Sequence, residues 1–164
     1  LNVDNPRLSC RLKEFENFSP KRIILDRNLD IKINSYIFKS AKKANTIIFY
    51  NTSNNAKIKI LKKKGINLIK SKLNNKKHFD LKIILKKLYI LGIRNLLIEG
   101  GDKITKNLLK KRLINEFYLF KSPKIFPKHK KNVNFTSIDI LDKYDNKFNI
   151  SSKIAKDCIT IYKR

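Results

Sequence analysis

The chain has 164 residues, a hydrophobic content of 41% and a formal net charge of +26 at pH 7. This length is sufficient for one domain with a sizeable core, and the composition excludes a disordered chain. No apolar run reaches the roughly 18 residues that span a bilayer, and the first eleven residues lack the apolar stretch of a signal peptide, so no membrane partner is expected.

The first half of the chain predicts strands that alternate with helices. Short β-branched or apolar runs predict strands at residues 21–26, 46–50 and 66–69. A short helix is expected over residues 56–64, ended by Gly65. The clearest helix follows Asp80 as its N-cap, carries apolar residues at helical spacing and stops at Gly92.

The second half continues the alternation. Residues 95–99 predict a fully apolar strand, residues 100–101 a turn, and residues 102–113 a helix. A strand is expected at residues 116–121, closed by Pro123, then a basic connector at 128–131 and two last strands at 134–141 and 157–162. This order predicts an α/β fold in one domain, residues 1–164, with a central, mainly parallel sheet flanked by helices and an antiparallel C-terminal edge.

The excess of positive charge does not by itself indicate a nucleic-acid partner. Lysine supplies most of it and recurs along the whole chain beside asparagine and isoleucine, a mixture typical of A/T-rich codons. No zinc-finger spacing, basic zipper or RNA-binding aromatic motif accompanies the charge. Cys10 and Cys158 are expected to be reduced thiols of a cytoplasmic protein, and His78 and His129 are too few and too far apart to predict a metal site.

The most informative motif is the stretch Ile98-Glu99-Gly100-Gly101-Asp102. Glycine lets a backbone approach a ligand closely, and the free N–H groups at a helix start can bind phosphate. A carboxylate at the tip of a strand can accept hydrogen bonds from a ligand. The same residues also fit a tight turn without a ligand, and they match neither the Walker loop nor the dinucleotide fingerprint.

Two further loops carry candidate residues. In the opening segment, residues 4–11, Pro6 fixes a turn, and Arg11 is either a phosphate-binding fork or an ordinary surface arginine. Residues 26–28 follow a predicted strand and are either part of a site or a polar turn.

Together these pieces resemble the reductase domain of the bifunctional deaminase–reductases of riboflavin biosynthesis. The resemblance rests on three blocks in the family's order, at residues 4–11 (DNPRLSCR), 24–26 (ILD) and 98–101 (IEGG), and the last continues into residues 115–119 (NEFYL) and 122–124 (SPK). It implies a dihydrofolate-reductase-like fold and the NADPH-dependent reduction of 5-amino-6-(5-phosphoribosylamino)uracil to its ribitylamino product. NADPH rather than NADH is implied by the family alone.

The resemblance also implies the binding residues. Substrate contacts would come from Leu8, Arg11 and Glu99, with Arg11 a candidate for the substrate phosphate. Contacts with NADPH would come from Asp4, Arg27, Gly101, Asp102, Lys103, Ile104, Thr105, Lys106 and Asn107. No general acid is identified. Arg27 departs from the small hydroxyl residue that the family commonly has, and it either reaches a cofactor phosphate or crowds the site.

The family further implies partners. We expect a homodimer and, because the chain has no methionine, a longer product in which the family's first strand and helix and a zinc deaminase domain precede residue 1. Three alternative functions stay open: a related oxidoreductase acting on another pterin or pyrimidine, a basic module that binds RNA, and a domain that keeps the fold without turnover.

Overall fold

The computed structural model describes residues 4–42, 45–123, 137–144, 146–151 and 157–164. The chain divides into two compact units, residues 1–87 and 88–164, and each contains a cluster of buried apolar side chains. Within the described ranges, no helix has the length and apolar character needed to cross a bilayer.

The first unit is built on a parallel sheet. Its strands are β1 (Arg22–Leu25), β2 (Thr46–Tyr50) and β3 (Asn67–Lys70), its complete helices are α1 (Tyr36–Lys39) and α2 (Asn55–Lys63), and α3 (Leu81–Ile90) begins in it. The strand order is β1-β2-β3, and both pairings are parallel. The central strand is buried at four of its five residues, which explains why its sequence is almost continuously apolar.

Helices α2 and α3 begin after residues whose side chains cap them and end just before glycines. The Asn54 side chain accepts a hydrogen bond from the Lys57 N–H at 2.7 Å, and the Asp80 carboxylate accepts one from the Lys82 N–H at 2.9 Å. Gly65 and Gly92 take positive φ angles of 85° and 82° just after the helix ends. These four positions confirm the predicted helix boundaries to within two residues, because caps and glycine stops act locally.

A charged side chain, Arg22, lies inside the first unit and is only 5% exposed. Its guanidinium donates to Thr46 Oγ1 at 2.8 and 3.1 Å and to Ser40 Oγ at 2.7 Å. Burial lowers the pKa of Arg22, because the charged form loses its hydration. The fork of donors therefore ties β1 and β2 to the end of α1 through neutral oxygen atoms.

The second unit is built on an antiparallel sheet. Its elements are α4 (Asp102–Lys110), β4 (Glu116–Lys121), α5 (Ile138–Leu141), β5 (Asn146–Ser151) and β6 (Cys158–Lys163). The strand order is β4-β6-β5, and both pairings are antiparallel. Leu109, Leu141 and Tyr162 are the buried centre of its core.

The predicted strand at residues 95–99 is wrong. No strand of the described residues pairs with this segment, and the side chain of Leu97 is 85% exposed. An apolar run of five residues shows that a segment prefers burial, but a strand also needs a neighbouring backbone to satisfy its N–H and C=O groups. The segment between α3 and α4 is therefore irregular.

The prediction of a strand at residues 134–141 is also wrong where it can be compared. Residues 134–136 and the predicted connector at 128–131 lie outside the described ranges, whereas Ile138–Leu141 form α5. The alternation of Ile138 and Ile140 favoured a strand, but Ile138 and Leu141 are also spaced three apart, as on a helix. The helix predicted to reach residue 113 ends at Lys110, where a turn with Arg112 at a φ of 50° closes it.

Candidate cofactor and substrate site

The glycine pair that precedes α4 has two different environments. A side chain on Gly100 would overlap the Cγ2 methyl of Ile104, and it would lie 3.5 Å from Ile104 Cβ. A side chain on Gly101 would meet no atom within 4 Å. The packing of Ile104 therefore explains why residue 100 is a glycine. Of the two glycines, only Gly101 has open space beside it, where a ligand could approach the backbone at the helix start.

The start of α4 combines the positive end of a helix dipole with a carboxylate. The positive end of the helix dipole lies at the start of a helix, so the start of α4 is a favourable place for an anion. The Asp102 carboxylate accepts a hydrogen bond at 3.1 Å from the hydroxyl of Ser137, which is 0% exposed. This bond connects the start of α4 to the start of α5 and restricts where the carboxylate points.

The remaining candidates on α4 differ in accessibility. Lys103 is exposed, and Ile104, Lys106 and Asn107 are half-buried. Thr105 is buried, and its N–H donates to the Gly101 carbonyl at 3.2 Å in the first turn. Two residues before Gly101, Glu99 is exposed in the irregular segment, so the second unit presents a carboxylate and a helix start close together in the chain.

The opening segment is held against the first unit by its own side chains. The Asn5 side chain accepts a hydrogen bond from the Tyr36 N–H at 2.8 Å, and the Arg7 guanidinium lies 5.2 Å from the centre of the Tyr36 ring. Leu8 is half-buried against the core of this unit, whereas Asp4 and Arg11 are exposed. The loop is therefore anchored at Asn5 and Leu8 and leaves the two charged side chains accessible.

Arg27 follows β1 at the carboxyl edge of the parallel sheet. The adjacent Asp26 carboxylate accepts hydrogen bonds from the Asp30 and Ile31 N–H groups at 2.9 and 2.8 Å, which closes the loop. The Arg27 guanidinium is exposed and donates to the Lys77 carbonyl at 3.3 Å. No hydrogen bond among the described residues joins Arg27 to the opening segment.

Sequence reasoning missed the short hairpin at residues 73–79, to which Arg27 is bound. Leu73 and Phe79 form an antiparallel bridge, and Asn74 organises the turn between them. The available signal was the polar run of residues 74–78 between the apolar residues Leu73 and Phe79, which is typical of a turn. Within the described ranges, no group of three or more histidine, cysteine, aspartate or glutamate side chains is arranged to hold a metal ion.

Comparison with known proteins places the chain in a family. The sequence model of the RibD C-terminal domain matches residues 1–159. The riboflavin biosynthesis protein RibD of Aquifex aeolicus is 34% identical over 122 residues, which are 74% of this chain and 32% of that protein. The protein of the same name from Actinobacillus pleuropneumoniae is 29% identical over 123 residues, or 75% of this chain and 32% of its own length. The chain spans about a third of these relatives.

Solved structures show the same fold at lower identity. RibD of Acinetobacter baumannii superposes with a TM-score of 0.71 at 18% identity, over 99% of this chain and 44% of that chain. A pyrimidine reductase-like protein of Corynebacterium diphtheriae superposes with a TM-score of 0.60 at 19% identity, over 88% of this chain and 61% of that chain. The predicted α/β class with a dihydrofolate-reductase-like fold is thus confirmed. The chain therefore belongs to the RibD C-terminal domain family, the reductase family of riboflavin biosynthesis.

Proposed function

We propose that this chain reduces 5-amino-6-(5-phosphoribosylamino)uracil to the ribitylamino product with NADPH. The observation that carries the proposal is the family match over residues 1–159, which includes each block on which the resemblance rests. The last glycine of the IEGG block, Gly101, also has open space beside it at the start of α4, and this space supports the proposal that a ligand phosphate binds there.

For the cofactor, we assign the open space at Gly101 and the positive end of the α4 dipole to the phosphates of NADPH. Lys103 and Lys106 add positive charge to this helix start, and Arg27 and Asp4 complete the assigned contacts. When bound, the cofactor supplies a hydride, which carries two electrons. The residues of the chain hold and orient the reactants and exclude water from them.

For the substrate, we assign Arg11 to the phosphate and Glu99 to N–H or hydroxyl groups. Both side chains are exposed, so they are free to meet a ligand. Leu8, three residues before Arg11, is half-buried and offers an apolar surface to the substrate. The open form of the ribosylamine has a C=N carbon that takes the hydride, and the nitrogen takes one proton to give the amine.

Two further proposals concern partners. A chain that spans about a third of its relatives leaves room for the deaminase domain that the resemblance implies. The expected homodimer has a candidate surface on the antiparallel sheet, where the register places Tyr118, Phe120, Phe148 and Ile150 on one face. These four side chains are between 46% and 63% exposed, and such an apolar cluster is typical of a surface that contacts another protein. We propose a cytoplasmic location, in keeping with the free thiols of Cys10 and Cys158.

The proposal is tested with the whole gene product by nicotinamide fluorescence during an NADPH titration, followed by NADPH oxidation upon addition of the phosphoribosylaminouracil. Arg11→Ala should raise the KM for this substrate at least about tenfold, since an ionic hydrogen bond to phosphate is lost. Glu99→Gln should lower kcat/KM. Lys13→Ala and Glu16→Gln change the same charges at exposed positions outside the assigned site and should leave both values unchanged.

The alternatives have separate outcomes in the same experiment. Failure of the whole product to bind NADPH would refute the reductase assignment. Oxidation of NADPH with a pterin, but not with the phosphoribosylaminouracil, would favour the related oxidoreductase. Salt-dependent binding of RNA without NADPH binding would favour the basic module.

A further inference from the structure

An open cleft of about 290 Å³ lies in the first unit between the loop that follows β1 and the hairpin at residues 73–79. Its apolar lining comes from Leu25, Leu73 and Phe79, and its basic lining from Arg27, Lys77 and His78. The cleft opens beyond the carboxyl end of β1, the edge of a parallel sheet at which ligands commonly bind. An apolar surface edged by cations suits a flat organic group that carries an anion.

The Arg27 side of the cleft is fixed by backbone hydrogen bonds. The Arg27 carbonyl accepts from the Asn51 N–H at 2.9 Å and from the Thr52 N–H at 3.1 Å, just after β2 ends. The guanidinium donates through Nη1 to the Lys77 carbonyl at 3.3 Å, across the cleft. A guanidinium has five N–H donors, so this bond orients the fork and still leaves donors for an anion.

The hairpin side is fixed by Asn74. Its side-chain oxygen accepts from the N–H groups of Lys76 and His78, both at 3.0 Å, and its own N–H donates to the His78 carbonyl at 2.8 Å. Lys77 takes a φ of 56°, a conformation that lysine adopts only where the surroundings impose it. The turn therefore holds Lys77 and His78 at set positions on the cleft lining, which reduces the entropy lost when a ligand binds.

The charges favour a compact, strongly anionic group. Arg27 and Lys77 are cationic side chains, and His78 has a ring N–H that can donate to an oxyanion. Asp30 also lines the cleft, and its carboxylate accepts from the Asn28 side chain at 3.4 Å. The carboxylate repels an anion locally, so the bound group has to lie toward the side where Arg27 meets the hairpin.

We propose that this cleft binds the adenosine 2′-phosphate of NADPH, with Arg27 and Lys77 as the residues that select NADPH over NADH. This inference rests on the proposed function and names the end of the cofactor that the first unit holds. The apolar lining accommodates adenosine atoms, and the two cations neutralise the phosphate monoester. The 5′-phosphate of the substrate is also a phosphate monoester, and the experiment below distinguishes it from the 2′-phosphate of NADPH.

The test measures the Kd of NADPH and of NADH for the whole gene product and its variants. Lys77→Asn removes the charge and keeps the hairpin, because asparagine tolerates a positive φ better than most residues and the carbonyl bound by Arg27 remains. Lys76→Asn is the matched control, since it removes the same charge from the neighbouring residue, which does not line the cleft. Lys77→Asn should weaken NADPH binding about tenfold, the loss of one ionic hydrogen bond, and change NADH binding less than about twofold.

Each other outcome overturns the inference. If Lys77→Asn weakens the binding of NADPH and of NADH equally, or if Lys76→Asn weakens NADPH binding as much as Lys77→Asn does, the cleft does not recognise the 2′-phosphate. A different result is that Lys77→Asn leaves NADPH affinity unchanged and raises the KM of the phosphorylated substrate but not that of the dephosphorylated one. That result would assign the cleft to the 5′-phosphate of the substrate. If the unmodified gene product binds neither dinucleotide, the proposed function itself fails. If it binds NADPH and Lys77→Asn does not weaken this binding, only the assignment of the cleft to the 2′-phosphate is refuted. A circular dichroism melt identifies a folding defect, and Lys77→Gly then replaces Lys77→Asn.

Discussion

Replacing each glycine before α4 with alanine should separate packing from ligand access. Alanine at position 100 places a methyl group against Ile104 Cγ2, 3.5 Å from Ile104 Cβ and 3.7 Å from Ile98 Cγ2. Ile104 lies in the first turn of α4, where a β-branched side chain has one strongly preferred rotamer. The overlap therefore has to be relieved by moving the backbone or the helix, not by a free side-chain rotation.

The expected cost follows from this geometry. Overpacking by one methyl group in a well-packed place costs about 1–3 kcal/mol. For a chain of this size each kcal/mol lowers Tm by roughly 2–4 °C, so Gly100→Ala should lower it by roughly 2–12 °C. Gly101→Ala adds its methyl where no atom lies within 4 Å, so its effect on stability should stay within about 0.5 kcal/mol.

The assay pairs thermal melts with an NADPH titration of the same variants. Gly101→Ala should keep the parent Tm and weaken NADPH binding, because its methyl occupies the space assigned to the cofactor. A Tm for Gly100→Ala equal to that of the parent would refute the packing explanation. Tight NADPH binding by Gly101→Ala would refute the assignment of that space to the cofactor.

Two further predictions concern stability. Arg22→Lys keeps the buried charge but loses the fork that binds Thr46 and Ser40, so urea unfolding should show a loss of about 2 kcal/mol, with no loss for the exposed control Lys21→Arg. Glu116 accepts from Lys163 at 3.0 Å and from the Tyr118 hydroxyl at 2.9 Å, and these bonds lower its pKa below the ordinary value of 4.5. The carboxylate therefore stabilises the folded chain above pH 4.5, and the stabilisation is lost as the pH falls through the lowered pKa. Any stability difference between the parent and Glu116→Gln should disappear at low pH and shrink in high salt, and a difference that persists in acid would contradict this cause.

The sequence predicted most of the first unit because its signals are local. The strands at β1, β2 and β3 follow runs of apolar residues, and α2 and α3 end at glycines that take positive φ angles. In the second unit β4 and β6 were predicted, but β5 was missed, since Asn146–Ser151 becomes a strand through its pairing with β6. A pairing between distant segments leaves little trace in either segment alone.

The candidate site was predicted in a similar, uneven way. The resemblance named Arg27, Gly101 and Glu99, and the structure places them at the end of a strand, at the start of a helix and in an exposed segment. It did not predict that Gly100 serves packing, because the contact with Ile104 depends on the path of the chain after the turn. The roles of these residues in binding stay predictions until the titrations above are made.

By itself, the sequence determined the fold class, the family and the first and last residues of helices α2 and α3 to within two positions. Periodicity, capping and short motifs all depend on residues that are close together in the chain. Only the tertiary structure decided that residues 95–99 do not form a strand, since a strand exists only where another backbone completes its hydrogen bonds. It also decided that Arg27 reaches Lys77, fifty residues away in the chain. Such a contact depends on how parallel strands bring their loops to one edge of a sheet, which no local pattern specifies.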